Sequence, residues 1–261
     1  MVMSLRIIEW PDFLGSSVSP SAMTIGVFDG VHLGHQALIE RIVRRGPNPT
    51  ALTFKENPKK MISPDLFEGD LYSLKQKLIV FESLGVSRVV LIDFSEDFGK
   101  LRGREFLDLL ENRGKMAFLA IGTNFHCGFR QDTDAKLIRE MNEGKGIPTE
   151  IVPPVTLPVV NGPVSSSRVR LAIVSGDLKL AAALLGRNFT LDLSDLKFEF
   201  LGRNPKHGSY VYDLRPVYRV APAAGEYSVL MRPGGTVDRA KMENGKVFLP
   251  QEAESLEFVM G

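Results

Sequence analysis

Short apolar runs alternate with amphipathic runs over the first 186 residues of the chain. The apolar runs predict buried strands at residues 23–28, 51–54, 89–92, 116–121 and 147–152. Between and after them, apolar residues at helical spacing predict helices at 36–45, 74–84, 105–111, 135–142, 168–174 and 178–185. This alternation is typical of βαβ units, so we predict an α/β fold with a parallel sheet covered by helices on both faces.

The pattern changes after Gly186. Short segments of β-forming residues, at 210–212, 227–230 and 246–249, are separated by turns rich in glycine and proline. Such segments predict a small all-β domain, either a barrel or a sandwich, and we expect it to be barrel-like. We therefore expect two domains, 1–186 and 187–261.

Composition and charge narrow the class of protein. The chain has 261 residues, with 32 Lys and Arg against 31 Asp and Glu, a net charge of +1. This balance argues against a dedicated nucleic-acid binder. Cys127 is the one cysteine, which suits a reducing compartment, and no window reaches the roughly 18 apolar residues of a membrane span. We expect a cytoplasmic protein without a signal peptide, with no membrane partner and no obligate protein partner.

The strongest chemical signal is the run from Gly26 to His35, which leaves a predicted strand through glycines and enters a helix. His32 and His35 are three residues apart, so both imidazoles can face the space before the helix. Gly34 lies between them and lets a phosphate approach the backbone N–H groups. The run predicts a phosphate site with two histidine donors. The alternative is that one histidine caps the helix and the other packs, and an isolated pair would also suit a metal.

Two later segments carry further candidates. Ser165, Ser166 and Ser167 precede Arg168 and Arg170 at a predicted helix start, where hydroxyl and guanidinium groups suit an anion. A serine N-cap is the alternative.

Asn124 follows the strand predicted at 116–121. Ligands bind beyond the carboxyl ends of strands in open α/β sheets, which places Asn124 as a ligand contact. An asparagine turn is the alternative. We interpret His126 and Cys127 as packing or rim residues.

These motifs resemble a known family. The run His32-Leu33-Gly34-His35 resembles the His-x-Gly-His signature of the nucleotidylyltransferase superfamily, and Gly26 to His35 is similar to the bacterial FAD synthetase family, often fused to a riboflavin kinase. Further segments that resemble the family's landmarks are Thr53–Pro58, Gly122–Gly128, Ser165–Arg170, Gly176–Asp177 and Leu184–Arg187.

The resemblance implies a Rossmann-like nucleotidylyltransferase domain that converts ATP and FMN into FAD and pyrophosphate. The catalytic residues it implies are His32, His35 and Arg170. The ATP contacts it implies are Gly26, Phe28, Asp29, Gly30, Gly34, Asn124, Ser166, Ser167 and Arg168. It also implies Mg²⁺, held mainly by the substrate phosphates, with Asn124 as a candidate protein ligand.

The implied flavin contacts are Phe54, Asn57 and Pro58. The Glu56-Asn57 pair departs from the family, in which proline followed by a basic residue or histidine is common, and core packing of Phe54 is an equal alternative.

The C-terminal domain departs further, because the stretch Phe198–Pro205 lacks the Pro-Thr-Ala-Asn motif of the fused riboflavin kinase. We expect a shortened kinase-like module without kinase chemistry. Two other functions stay open: a nucleotidylyltransferase with a different phosphate acceptor, and a flavin- or nucleotide-binding protein without catalysis.

Overall fold

A computed structural model of the chain describes residues 4–15, 19–158, 160–202 and 208–259. The chain folds as two compact units, one of residues 1–65 and 77–163 and the other of residues 66–76 and 164–261. This division falls before the boundary that we predict near Gly186. The predicted boundary marks the change from the alternating α/β pattern to short β-forming segments, and it stays a prediction.

The first unit contains a parallel sheet of six strands. Its strands are β1 Arg6–Glu9, β2 Ser21–Ile25, β3 Thr50–Phe54, β4 Arg88–Ile92, β5 Met116–Gly122 and β8 Thr149–Val152, and a short hairpin pairs β6 His126–Cys127 with β7 Thr133–Asp134. The helices are α1 Trp10–Gly15, α2 Leu33–Arg45, α3 Lys59–Ile62, α4 Leu74–Ser83, α5 Glu96–Lys100, α6 Gly103–Asn112 and α7 Ala135–Glu143, of which α4 belongs to this unit from Lys77 onward.

The sheet forms the core of this unit because helices cover it. All residues of β2 and β4 are buried, as expected for inner strands of a parallel sheet. On one face, Leu52, Val90 and Leu119 pack in one apolar cluster with Phe13 of α1 and Leu107 of α6. The predicted α/β class is confirmed.

The second unit contains helices followed by an antiparallel sheet with the strand order β10-β11-β14-β13-β12-β15-β9. Its elements are α8 Ser166–Val174, α9 Leu178–Leu185, β9 Thr190–Asp192, β10 Phe198–Gly202, β11 Gly208–Asp213, β12 Gly225–Arg232, β13 Thr236–Glu243, β14 Lys246–Leu249 and β15 Ser255–Phe258. The sheet curls into a half-barrel, which confirms the predicted all-β domain. Arg203, Asn204 and Pro205, which end the stretch without the kinase motif, lie outside the described residues.

The segment of residues 66–76 belongs to the second unit through specific hydrogen bonds. The Ser73 hydroxyl donates to the Asp192 carboxylate at 2.5 Å, and the Gln76 amide donates to the Thr190 carbonyl at 2.9 Å. Among the described residues, no helix is both long and apolar enough to cross a membrane.

Two predicted ends differ from the structure beside the glycine turn. Strand β2 ends at Ile25 rather than at Phe28, because Phe28 has left-handed backbone angles that a strand does not allow. Helix α2 begins at Leu33, three residues before its predicted start at Gln36. The turn between β2 and α2 therefore spans residues 26–32, three positions earlier in the chain than predicted.

The Cys127 thiol gives a direct test of the packing around β6. Burial and the nearby Asp132 carboxylate raise the pKa of this thiol to about 12. Because the thiolate is the reactive form, we expect native protein at pH 8 to react with a thiol reagent at least about 100-fold more slowly than urea-unfolded protein, whose thiol has an ordinary pKa near 8.5. Absorbance of the released chromophore measures both rates. Rates within threefold of each other would contradict the packing described for β6.

Candidate active site

The carboxyl ends of β2 and β5 meet at a switch point in the sheet. Strand β2 pairs with β3 on one side and with β5 on the other, and the chain runs from β2 to β3 and β4 before it returns to β5. Open α/β sheets bind ligands where the strand order reverses in this way. The two segments that follow these strands are Gly26–His35 and Gly122–Gly128, so both fall at the expected ligand-binding end.

The turn after β2 has an unusual backbone. Phe28, Gly30 and Val31 have φ angles of 52°, 77° and 41°. For a β-branched residue such as Val31 this is a strained conformation. The Val31 N–H donates to the Phe28 carbonyl at 3.1 Å, and the Gln36 side-chain amide donates to the Val31 carbonyl at 2.9 Å. Such strain persists only where the surrounding structure holds it, and this is common at functional sites.

The turn places the two histidines side by side. The His32 and His35 rings stack with their centroids 3.8 Å apart and 18° between their planes. The Phe28 and His35 rings pack edge to face, with their centroids 5.1 Å apart. Phe28 and Phe81 of α4 pack in the same way, with their centroids 5.3 Å apart. Phe28 is fully buried, so it gives the pair a rigid support.

The histidines and the helix N-terminus form one polar surface. His32 occupies the N-cap position of α2, but its side chain makes no capping hydrogen bond to the first turn of this described helix. The first N–H groups of α2 have no partner within the helix and carry the positive end of its dipole. Of the two structural alternatives, capping by His32 is therefore wrong, whereas packing of His35 on Phe28 is observed. That packing orients the ring and is compatible with phosphate binding.

Gly26, Asp29 and Gly30 complete the predicted turn. The Gly26 N–H still bonds to the Leu52 carbonyl at 3.1 Å, so the turn begins directly after the sheet hydrogen bonds end. Asp29 is 7% exposed and lies with Gly30 in the short 3-10 segment Asp29–Val31. The structure therefore brings Gly26, Phe28, Asp29, Gly30 and Gly34 into the same turn and helix start as the histidine pair. That they contact ATP stays a prediction.

Two residues support this turn through hydrogen bonds that the sequence does not predict. The Val27 carbonyl accepts from the Thr53 hydroxyl at 3.2 Å and from the Lys77 ammonium at 3.5 Å. Lys77 lies on α4 four residues before Phe81, on a side that is buried in the structure. The four-residue spacing of Lys77 and the apolar Phe81 on one predicted helix is the feature of the sequence that could have indicated a buried lysine.

The segment after β5 places Asn124 at the surface. Asn124 is exposed, and its carbonyl lies 3.1 Å from Nδ1 of His126. The segment ends at Gly128, where a Cβ would lie 2.2 Å from both the Asp132 carboxylate and the Gly103 nitrogen. Packing therefore requires glycine at position 128. The turn at Asn124, which was the alternative to a ligand contact, is observed. A ligand role for Asn124 stays a prediction.

The predicted flavin contacts follow β3, the neighbour of β2. Phe54 packs edge-on against Phe94 at 5.8 Å and Phe98 at 6.1 Å, so its packing in an aromatic cluster is observed. The Asn57 side chain accepts from the Lys59 N–H at 3.2 Å, just before α3, and Pro58 directly precedes that helix. The structure therefore accounts for Asn57 as a turn residue, and flavin contact by these three residues stays a prediction.

In the second unit, Ser165 performs the capping role. Its hydroxyl accepts from the Arg168 N–H at 3.3 Å, so Ser166 and Ser167 lie in the first turn of α8 and are not needed as the cap. Arg170 donates to the Gly69 carbonyl at 2.8 Å and lies 3.9 Å from the Glu68 carboxylate. Arg170 therefore holds the segment of residues 66–76, a role that the sequence does not indicate. Anion binding by this helix start stays a prediction.

The metal prediction concerns Mg²⁺, a cation that prefers oxygen ligands and usually keeps substrate phosphates among them. No group of three or more His, Cys, Asp or Glu side chains in the described ranges is arranged to hold a metal ion. Asn124 is exposed just beyond the carboxyl end of β5, so its amide oxygen is compatible with one contact to a Mg²⁺ ion whose other ligands are mainly substrate phosphates.

Comparison with known proteins gives consistent matches. A sequence model of the FAD synthetase family matches residues 15–168. The bifunctional riboflavin kinase/FMN adenylyltransferase of Escherichia coli (strain K12) is 30% identical over 212 residues, 79% of this chain and 66% of that protein. The Pseudomonas fluorescens protein of the same description is 31% identical over the same shares. The chain thus spans slightly less than two thirds of the length of these relatives.

A solved structure described as a macrolide-efflux protein from Streptococcus pneumoniae has the same fold. Its TM-score is 0.76 at 23% identity, over 98% of this chain and 89% of that chain. At this identity the likeness concerns the fold alone. The family model, by contrast, covers more than half of the chain, from just before β2 to the start of α8, and includes the histidine turn. The chain therefore belongs to the FAD synthetase family.

Proposed function

We propose that the chain is an FMN adenylyltransferase, which converts ATP and FMN into FAD and pyrophosphate. The observation that carries this proposal is the stacked pair of His32 and His35 at the N-terminus of α2, at the switch point of the sheet. The family and the names of the curated relatives support the same reaction. The single cysteine suits a reducing compartment, which supports a cytoplasmic location.

The proposed chemistry needs no general base and no covalent intermediate. A phosphate oxygen of FMN is anionic at neutral pH and attacks the α-phosphorus of ATP. As that bond forms, the bond from the α-phosphorus to the oxygen that bridges to the β-phosphorus breaks, and pyrophosphate leaves with the electron pair. Catalysis then rests on alignment of the two substrates and on stabilisation of the charge that grows on the phosphoryl oxygens.

The histidine pair suits this task. An imidazolium donates from both ring nitrogens, and two such donors beside a helix N-terminus can bind an anion from one side. The stacking of the two rings keeps both imidazoles on the same side of the turn, beside the helix N-terminus. We assign His35 to the α-phosphate in the transition state and His32 to the neighbouring phosphate oxygens.

The remaining predicted contacts complete the proposal. Ser166, Ser167, Arg168 and Arg170 are proposed ligands of the triphosphate and the departing pyrophosphate, since guanidinium groups match phosphate oxygens. Phe54, Asn57 and Pro58 are proposed flavin contacts. Mg²⁺ bound by the phosphates neutralises part of their charge, and Asn124 is its proposed protein ligand.

We further propose that the second unit has no riboflavin kinase activity. A kinase must activate a neutral hydroxyl, which calls for a base and an ordered magnesium–ATP site. Glu199, Asp213, Glu226 and Glu243 are carboxylates of the second unit that could each be proposed as a base, and the last three are paired with cations. The Arg215 side chain donates to Asp213, and this hydrogen bond lowers the pKa of Asp213 to about 2. The other two pairs are Glu226 with Arg239 at 3.8 Å and Glu243 with Lys241 at 2.9 Å.

The first test supplies riboflavin or FMN as the sole flavin, together with ATP and Mg²⁺, and identifies the products by chromatography. We expect FAD from FMN and no FMN from riboflavin, because the first unit carries the histidine turn, whereas the stretch Phe198–Pro205 lacks the Pro-Thr-Ala-Asn motif of the riboflavin kinase. ATP-dependent phosphorylation of riboflavin would contradict the proposal for the second unit. Nucleotide transfer to another phosphate acceptor, or binding of FMN and ATP without any turnover, would instead favour one of the two alternative functions.

The second test replaces the histidines. His32→Ala and His35→Ala are each expected to reduce the turnover number by about 10²–10³, because each removes a donor to the developing charge. The matched control is His126→Ala, which removes an exposed imidazole from β6. Steady-state rates and thermal unfolding are measured on all three variants. Near-normal turnover in both His32→Ala and His35→Ala would rule out the assignment.

A further inference from the structure

Lys77 is a buried cation at the carboxyl end of the parallel sheet. Lys77 is 6% exposed, although lysine is almost never buried without partners. The ammonium donates to the carbonyl of Phe54 at 3.3 Å and to the carbonyl of Val27 at 3.5 Å. We name these two contacts the Lys77 bridge. Both acceptors belong to the backbone, so the bridge joins two chain segments rather than two side chains.

The two carbonyls occupy equivalent places on neighbouring strands. Phe54 is the last residue of β3, and Val27 lies two residues after the end of β2. The segment that begins at Val27 carries His32 and His35, and the segment that begins at Phe54 carries Asn57 and Pro58. The Lys77 bridge therefore connects the start of the proposed ATP segment with the start of the proposed flavin segment.

The Val27 carbonyl is held from two directions. It accepts from the Thr53 hydroxyl at 3.2 Å as well as from Lys77. The next residue, Phe28, has a φ of 52°, so the peptide plane that Lys77 and Thr53 hold leads directly into the strained turn. A small rotation of this plane would move both histidine rings, since they are reached through the same short turn.

Stability alone is a weak reason to bury this charge. Removing an ammonium from water is costly, and replacing a whole buried polar pair by apolar groups is often neutral or stabilising. A buried charge here is better explained if the relative position of the two segments matters for catalysis. A misplacement of about 1 Å between reacting groups can cost about 10²-fold in rate.

We propose that Lys77 is a positioning residue for adenylyl transfer, which sets the distance between the ATP segment and the flavin segment. This inference rests on the proposed function. In this role Lys77 acts through the Val27 and Phe54 carbonyls. Its loss should therefore lower the turnover number and leave the affinity for each substrate alone nearly unchanged.

The test compares Lys77→Met with Lys75→Met. Methionine keeps the length of the buried side chain without the charge, and Lys75 is a more accessible lysine on the same helix. For Lys77→Met we expect the turnover number to fall about 10²-fold and the dissociation constants for ATP and for FMN, each titrated alone, to change by less than about threefold. We expect the loss of this donor to cost about 1–3 kcal/mol, which lowers the unfolding midpoint by no more than about 10 °C. Lys75→Met should match wild type throughout.

Hydrogen exchange gives a readout that does not depend on turnover. In Lys77→Met, amide exchange should rise about tenfold or more over residues 27–31 and 54–58 and stay unchanged over β4 and β5, whereas Lys75→Met should change neither region. If wild type makes no FAD, the proposed function fails, and exchange still decides whether the Lys77 bridge holds these segments.

Two outcomes overturn the inference. Turnover of Lys77→Met within threefold of wild type would show that the bridge does not align the substrates. A joint loss of stability, substrate affinity and exchange protection across the unit would show that Lys77 serves the fold alone.

If Lys77→Met does not fold, Thr53→Val and the hydroxyl-retaining control Thr53→Ser test the same carbonyl. Thr53→Val should lower turnover about tenfold with binding retained, Thr53→Ser should stay near wild type, and equal turnover in both would overturn the inference.

Discussion

The peptide turn between β2 and α2 is the constraint on which the proposed site depends. Phe28, Gly30 and Val31 all have positive φ angles, which costs conformational energy for the two residues that carry side chains. Burial of Phe28 and Val31 and the hydrogen bond from Gln36 hold the turn in place. Because the chain reverses within so few residues, His32 becomes the N-cap of α2 and His35 stacks on it. A relaxed turn would separate the rings from each other and from the helix N-terminus.

The topology of the sheet explains why this turn lies where a ligand is expected. Strand β2 is central, and the chain leaves it for β3 on one side and later returns to β5 on the other. The segments that follow β2, β3 and β5 carry the predicted ATP, flavin and magnesium contacts respectively. Their common place at the carboxyl end of one sheet supports a single chemical task. The Thr53 hydroxyl and the Lys77 ammonium link the first two segments through the Val27 carbonyl.

Periodicity in the sequence predicted the inner strands and most helices, because buried parallel strands and amphipathic helices leave strong patterns. It missed β1 and α1, which are short and carry mixed polar and apolar residues. The motifs predicted the histidine pair, but hydrogen bonds to backbone carbonyls leave no motif, so the roles of Lys77 and of Arg170 at Gly69 were not predicted. The membership of residues 66–76 in the second unit depends on contacts distant in sequence, such as Ser73 with Asp192, which local patterns do not encode.

The most direct measurement is an equilibrium titration of ATP against Gly34→Ala. Gly34 lies in the first turn of α2, where alanine is compatible with helical backbone and favours the helix over glycine. If a phosphate lies against this turn, the added methyl group should weaken ATP binding by at least about tenfold, while the unfolding midpoint stays within about 4 °C of wild type. ATP affinity equal to that of wild type would contradict a phosphate site at the N-terminus of α2.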